Sequence, residues 1–338
     1  MKEELAAEDA LRLHVLLAGE VHAVRIDEGA RVLHALTPKG EARIALNPRG
    51  NAQRYVQRVR ELLGGHAFGV PGGYPVHLRR FARLGRASAQ TLEALLKLGE
   101  PEALLAVAQS DALTDELARR LWWAAQPAPP AELARAMLRQ PAVRAGTMGA
   151  VLVEHLVESL PFEADPNAAL QTLRGLLACG LLSPEARLKL WQRGAQRPYE
   201  RIAFLEHCPD AVPPDPARAL PAGLPQTPAA RLLARCYAGA GQACLRAAEA
   251  ALERPATHEA VYLLLDVLGA YFADGRAAGG LPVAARERTA LEALACVSQD
   301  DAAAILTRTT AVGALMRRHL EPVLAPLVGH LRALRGLQ

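Results

Sequence analysis

Ten lysines and arginines face two acids across residues 31–85, and several of those arginines stand among aromatics: Arg54, Tyr55, Arg58, Arg60, Phe68, Tyr74, Arg79, Arg80 and Phe81. Guanidiniums neutralise phosphates and flat rings stack on bases, which together hold single-stranded nucleic acid without reading its sequence. No ribonucleoprotein motif, GXXG clamp or helix-turn-helix signature accompanies the stretch. A regulatory nucleic-acid binder is therefore an alternative reading, set against a solvated arginine face.

His66, Tyr74 and His77 gather around a glycine-rich stretch, Gly64-Gly65-His66-Ala67-Phe68-Gly69-Val70-Pro71-Gly72-Gly73-Tyr74-Pro75, next to Arg79 and Arg80. Five glycines and two prolines predict a loop or hinge in place of a regular element. It lacks the Gly-Lys-Ser/Thr ending of a phosphate-binding loop, so nucleotide binding is not expected. Loops carry recognition on otherwise rigid scaffolds, which makes Arg54, Arg58, His66, Tyr74, His77, Arg79 and Arg80 the candidate partner-binding residues.

Cys179, Cys208, Cys236, Cys244 and Cys296 are odd in number, scattered and free of any CxxC, unlike a disulfide framework. A reactive thiol needs a basic, partly exposed setting, which Arg235 could lend Cys236, so a thiol-based sulfur or redox carrier is a second alternative. Their apolar helical surroundings favour small buried hydrophobes instead. His155 and Glu158 lie one helical turn apart, but a metal needs three or four convergent ligands. No catalytic constellation, metal site or cofactor is expected.

These groups must be positioned by a chain of 338 residues that is 51% hydrophobic but only 4% aromatic. Its apolar residues are mostly Ala and Leu, which lose least on entering a helix. Ala7–Leu17 predicts a first helix closed by a left-handed Gly19. Three alternating runs follow (Val24 and Ile26; Val32, His34 and Leu36; Ala42, Ile44 and Leu46) with turn-rich text between them, predicting a three-stranded antiparallel meander. Tyr55, Val59, Leu62 and Leu63 recur at helical spacing on its far side. From about residue 87 the text becomes repeated helical words. The run from Leu113 to Trp122 is echoed from Leu182 to Trp191, with Thr114 and Ser183 as N-caps.

The fold expected is mainly α: irregular HEAT- or armadillo-like helix pairs over 86–338, behind a small α/β domain over 1–85. Residues 209–228 hold seven prolines and predict a stiff connector, and Pro322 and Pro326 predict a kink or split in the last helix. The opening MKEELAAEDALR carries acids where an export signal needs bases and an apolar run, and no apolar stretch is long enough to cross a bilayer, so a cytoplasmic setting is expected.

The text AEDALRLHVLLAGEVHAVRIDEGARVLHALTPKGEARIALNP, with RYVQRVRELLGGHAFGVPGGYPVHLRRFARLG and LLKLGEPEALLAVAQSDALTDELARRLWWAAQ, resembles the DsrS family. These proteins are encoded with the dissimilatory sulfite reductase system of sulfur-oxidising bacteria. The resemblance covers roughly the first half of the chain and is weaker beyond it, and it brings no catalytic motif. It implies a cytoplasmic accessory protein of sulfur oxidation. The leading expectation is thus a non-enzymatic interaction protein that binds a protein of that machinery.

Overall fold

A computed structural model describes residues 5–48, 50–69 and 88–337. They are mainly helical, with a small antiparallel sheet near the start. The chain divides into two compact units, Met1–Ser159 and Leu160–Gln338.

The first unit opens with α1 (Ala7–Leu17), then β1 (Ala23–Asp27), β2 (Val32–Thr37) and β3 (Gly40–Ala45) in the order β1-β2-β3, then α2 (Ala52–Phe68). In the register Ile26 faces Leu33 and Leu33 faces Ile44. These residues, with Val24 and Ala35, form the face that packs with Leu13, Leu17, Tyr55, Val59 and Leu63 of α1 and α2. The phase of β2 is therefore the reverse of the one its alternation suggests: Leu33 and Ala35 are buried, while Val32, His34 and Leu36 lie on the opposite face. Because the side-chain period in a strand is two, pairing with Ile26 and Ile44 decides the matter.

Two helix ends also differ from expectation. Gly19 does not adopt a left-handed conformation; α1 closes through the Ala18 N–H on the His14 carbonyl and the Gly19 N–H on the Leu16 carbonyl. And α2 runs on through Gly64 and Gly65 to Phe68, ending at a left-handed Gly69 with φ 67°. Leu63 and Gly64 are buried, and tertiary packing overrides the weak helix preference of glycine. The rest of the expected loop, residues 70–75, lies outside the described residues.

The helices of this unit continue as α3 (Ala89–Leu96), α4 (Pro101–Ala108), α5 (Asp115–Ala124), α6 (Ala131–Leu138), α7 (Pro141–Ala145) and α8 (Met148–Ser159). Neighbours pack α3 on α4, α4 on α6 and α6 on α8, and α5 also meets β1. Thr114 caps α5 by accepting from the Leu117 N–H at 3.2 Å, as its sequence position suggests. Asp115, the next residue, caps a different helix: its carboxylate accepts from the Thr147 and Met148 N–H groups at 3.0 and 2.9 Å and from the Thr147 hydroxyl at 2.8 Å. Burial opposes ionisation there, but these bonds outweigh it and hold the carboxyl below its ordinary value. Asp115→Ala is expected to cost about 2 kcal/mol, the upper end for loss of a cap, measured by urea denaturation of the full chain. A change within experimental error would mean that water replaces the carboxylate at no cost.

The second unit holds α9 (Pro166–Ala178), α10 (Pro184–Arg193), α11 (Ile202–His207), α12 (Pro228–Tyr237), α13 (Gly239–Glu253), α14 (His258–Tyr271), α15 (Ala285–Leu294), α16 (Asp300–Leu306) and α17 (Gly313–Arg335). Ser183 caps α10 as Thr114 caps α5. The proline-rich 209–228 stretch forms a strap fastened at several points. Its Asp215 N–H reaches the Gly239 carbonyl at 3.0 Å, its Arg218 N–H the Tyr237 carbonyl at 2.9 Å, and the Arg218 guanidinium the Leu334 carbonyl at 2.7 Å. Helices α12 and α13 turn so sharply that a Cβ on Gly241 would sit 2.0 Å from the Arg235 carbonyl oxygen, so only glycine fits.

Helix α17 is not split by its prolines. Met316, Leu320, Leu324, Leu327 and Leu331 are buried, and the helix packs on α13 and α15. Pro322 and Pro326 lie on the exposed side, where the carbonyls that they deprive of donors can be solvated. Leu315, expected on the apolar face, is exposed. Among the described residues no helix is long and apolar enough to cross a membrane.

Candidate functional site: a cleft in the first unit

Three of the seven sequence-derived candidates, Arg54, Arg58 and His66, lie among the described residues, all on α2. Arg54 is exposed on the first turn of α2. Arg58 donates to Glu61 at 2.6 Å, and His66 is exposed in the last turn. Tyr74, His77, Arg79 and Arg80 lie outside the described residues. Elsewhere in the basic segment Arg43 pairs with Glu41 at 2.9 Å and Arg60 with Glu28 at 2.8 Å. Three of the ten bases are thus paired with a carboxylate, four lie outside the described residues, and Arg31, Lys39 and Arg54 make no ion pair among the described residues.

A different set of residues comes together. Strand β1, the middle of β2, helix α2, the residues that follow α5 and the starts of α4 and α6 line a cleft of about 780 Å³, within the usual range of binding pockets. Ile26, Leu104, Leu105, Pro127, Pro130 and Leu133 give it an apolar lining. Asp27, Glu28, Glu100, Glu102 and Glu132 supply five carboxylates, against the two guanidiniums of Arg25 and Arg60.

Local structure explains how they get there. Gly99 takes φ +62°, and a Cβ on it would lie 3.0 Å from the Ile26 side chain. Glycine at this point lets the α3–α4 turn press on β1 and delivers Glu100 to the cleft wall. Glu100 is the N-cap residue of α4, yet its side chain makes no cap bond. Its Oε2 is shielded from solvent and has no hydrogen-bond partner among the described residues. Burial pushes its carboxyl above the ordinary value; nearby Arg60 opposes this, and the like charges of Glu102 and Glu28 add to it. A desolvated, unfilled carboxylate oxygen is unfavourable in the free protein.

Both guanidiniums are already engaged. Arg25 lies 4.8 Å over the Trp123 ring and donates to Glu41 at 3.2 Å. Arg60 donates to Glu28 and, at 3.4 Å, to the Gly99 carbonyl. Glu41 also accepts from His34 at 2.8 Å. That bond, with Arg43 and Arg25 beside it, overcomes burial and holds the Glu41 carboxyl at about 2. Arg25, His34 and Arg43 occupy facing positions on the three strands, so this polar row stiffens the sheet next to the cleft.

The cysteines are all free. Burial pushes the Cys236 and Cys244 thiols up to about 12 and outweighs the opposing charge of Arg235, so the basic neighbour does not activate Cys236. Burial raises Cys208 as well. Alkylation of the native protein at neutral pH is expected to label Cys296, which is exposed, and to spare Cys236 and Cys244 until denaturant is added. Rapid native labelling of Cys236 would restore the carrier reading. His155 stacks edge-on against Trp122 at 4.9 Å, and among the described residues no three His, Cys, Asp or Glu side chains are placed to hold a metal.

Sequence reasoning missed the cleft because its residues span positions 25 to 133 and meet only in the fold. One local signal was available: Gly99-Glu100-Pro101-Glu102, a turn glycine and two acids around a proline at a helix start. No family model, curated protein or solved structure matches the chain.

Proposed function

We propose that this chain is a non-enzymatic accessory protein of cytoplasmic dissimilatory sulfur oxidation that docks a partner protein of that pathway in the cleft of its first unit. The observation that carries the docking role is the cleft itself: a sizeable apolar hollow with an unfilled carboxylate oxygen in its wall. Its described lining holds no Ser, Thr, Cys, Lys or Tyr to act as a nucleophile, and His34 is committed to Glu41. The pathway rests on the resemblance to the DsrS family. Burial raises the Cys236 and Cys244 thiols, which speaks against sulfur carriage by those two, and nucleic-acid binding through the basic 31–85 segment is the second reading.

The test is affinity capture from an extract of a sulfur-oxidising cell, with and without nuclease, using the natural chain and Ala128→Trp. Ala128 is an exposed residue of the cleft wall, and an indole there would obstruct it. A nuclease-resistant sulfur-pathway protein, retained by the natural chain and lost with Ala128→Trp, is the expected result. Retention that vanishes with nuclease would replace this reading by the regulatory one. Capture undisturbed by the indole would move the docking surface elsewhere.

A further inference from the structure

We infer that the cleft takes a cationic, extended segment of a partner protein, with its arginine or lysine side chains against the exposed carboxylates of Glu102 and Glu132. This inference rests on the docking role proposed above and specifies the chemistry of the occupant.

Three observations converge on it. The carboxylates of the lining outnumber its guanidiniums, and Arg25 and Arg60 are spent on Trp123, Glu41, Glu28 and the Gly99 carbonyl. Glu102 and Glu132 are exposed. The negative potential of the cleft is therefore available to an incoming cation and would repel an anion. Second, Glu100 Oε2 is unbonded among the described residues and closed to solvent, so the charge of this carboxylate is poorly screened and adds to the negative potential of the wall. Third, the apolar lining suits the hydrocarbon stem of a lysine or arginine, whose charged head can then lie against a carboxylate at the end of the stem.

A peptide fits better than a compact cation. Glu100 precedes α4, Glu102 lies in its first turn and Glu132 in the first turn of α6, so the acids are spread over two elements with apolar surface between them. Such a layout matches basic and apolar side chains alternating along an extended chain.

The test is fluorescence anisotropy on the full-length chain, with a short labelled peptide of alternating arginine and leucine, the same peptide with glutamate for arginine, and spermidine as competitor. The arginine peptide is expected to bind and the glutamate peptide not. The double reversal Glu102→Lys, Glu132→Lys is expected to weaken binding at least about tenfold. Both residues are exposed, so the variant should fold, and its melting curve checks this. Glu100→Gln, which keeps the shape but removes the charge, is expected to weaken binding by about fivefold. Equal binding of both peptides, or full binding by the double reversal, would overturn the inference. Competition by spermidine as strong as by unlabelled peptide would overturn the peptide assignment. If the double reversal still captures the sulfur-pathway protein that Ala128→Trp loses, the docking role stands and the cationic occupant falls.

Discussion

Asp9→Ala is expected to destabilise the first unit by about 3 kcal/mol, through the loss of a carboxylate that is entirely shielded from solvent. Asp9 sits in the first turn of α1 but bonds across the unit. It accepts from the Tyr55 hydroxyl at 2.5 Å, the Asn47 N–H at 2.7 Å and the Asn47 amide nitrogen at 3.0 Å. One side chain thus ties α1 to α2 and to the residues just after β3. The donors are affected unequally when it is removed. Asn47 is exposed and can turn to water, whereas the Tyr55 hydroxyl is buried beside Val59 and Leu63 and cannot. The lost charge-assisted bonds, one of them from a buried hydroxyl, set the magnitude.

Acid titration supplies a second readout. Burial works to raise the Asp9 carboxyl, but the bonds from Tyr55 and Asn47 prevail and its pKa is lowered. A lowered carboxylate contributes stability that is complete above its unfolded value and is lost as pH falls through the folded one. Asp9→Ala should lack that acid limb, and hydrogen exchange at Leu13 and Val59 in the full chain would register the loss locally. A cost under 1 kcal/mol, or an unchanged acid limb, would show that the network is incidental.

Asp9 also shows where sequence reading stops. Two acids in the first turn read as partners of the helix dipole, and that argument holds for Glu8, which faces solvent and pairs with Arg12. Nothing at positions 9, 47 and 55 signals that they meet, because their encounter depends on how the sheet folds between two helices. The same divide runs through the whole chain. Local rules placed α1 and the N-caps at Thr114 and Ser183, since each depends on neighbours within a few residues. The meander was legible from its turns, but the phase of β2 was not, because Val32-Leu33-His34-Ala35-Leu36 is nearly apolar throughout and only its pairing with Ile26 and Ile44 selects a face. Continuation of α2 through Gly64 and of α17 through two prolines both set local propensity against burial, and burial prevailed. The cleft was least legible of all. Glu100, Glu102 and Glu132 look like ordinary helix-start residues, and Arg60 like part of the basic 31–85 stretch, until Gly99 brings the α3–α4 turn against β1.

Glu200→Leu is expected to cost about 3 to 5 kcal/mol in the second unit, while the double variant Glu200→Leu, Arg193→Met should recover most of it. Glu200 has no solvent exposure, and its Oε1 lies 2.8 Å from Arg193 and 3.6 Å from Arg197. Arg193 also donates to the Leu160 carbonyl at 2.9 Å, and its Nη1 has no partner. Removing the carboxylate alone leaves a guanidinium in poorly solvated surroundings, whereas removing both charges leaves an apolar contact and a single unfilled carbonyl. The balance of terms is already visible in the carboxyl, which burial raises despite the two arginines that pull it down. Desolvation therefore exceeds pairing, the condition under which a buried ion pair adds little net stability. The sign with pH is opposite to that of Asp9. A raised carboxyl binds its proton more readily folded than unfolded, so its contribution is most favourable at low pH and declines as pH rises through the folded value. Glu200→Gln should remove that decline. A double-mutant cycle in urea, run at neutral pH, measures the coupling directly. Additive costs would mean that Glu200 and Arg193 act independently, and the account of the pair would fail.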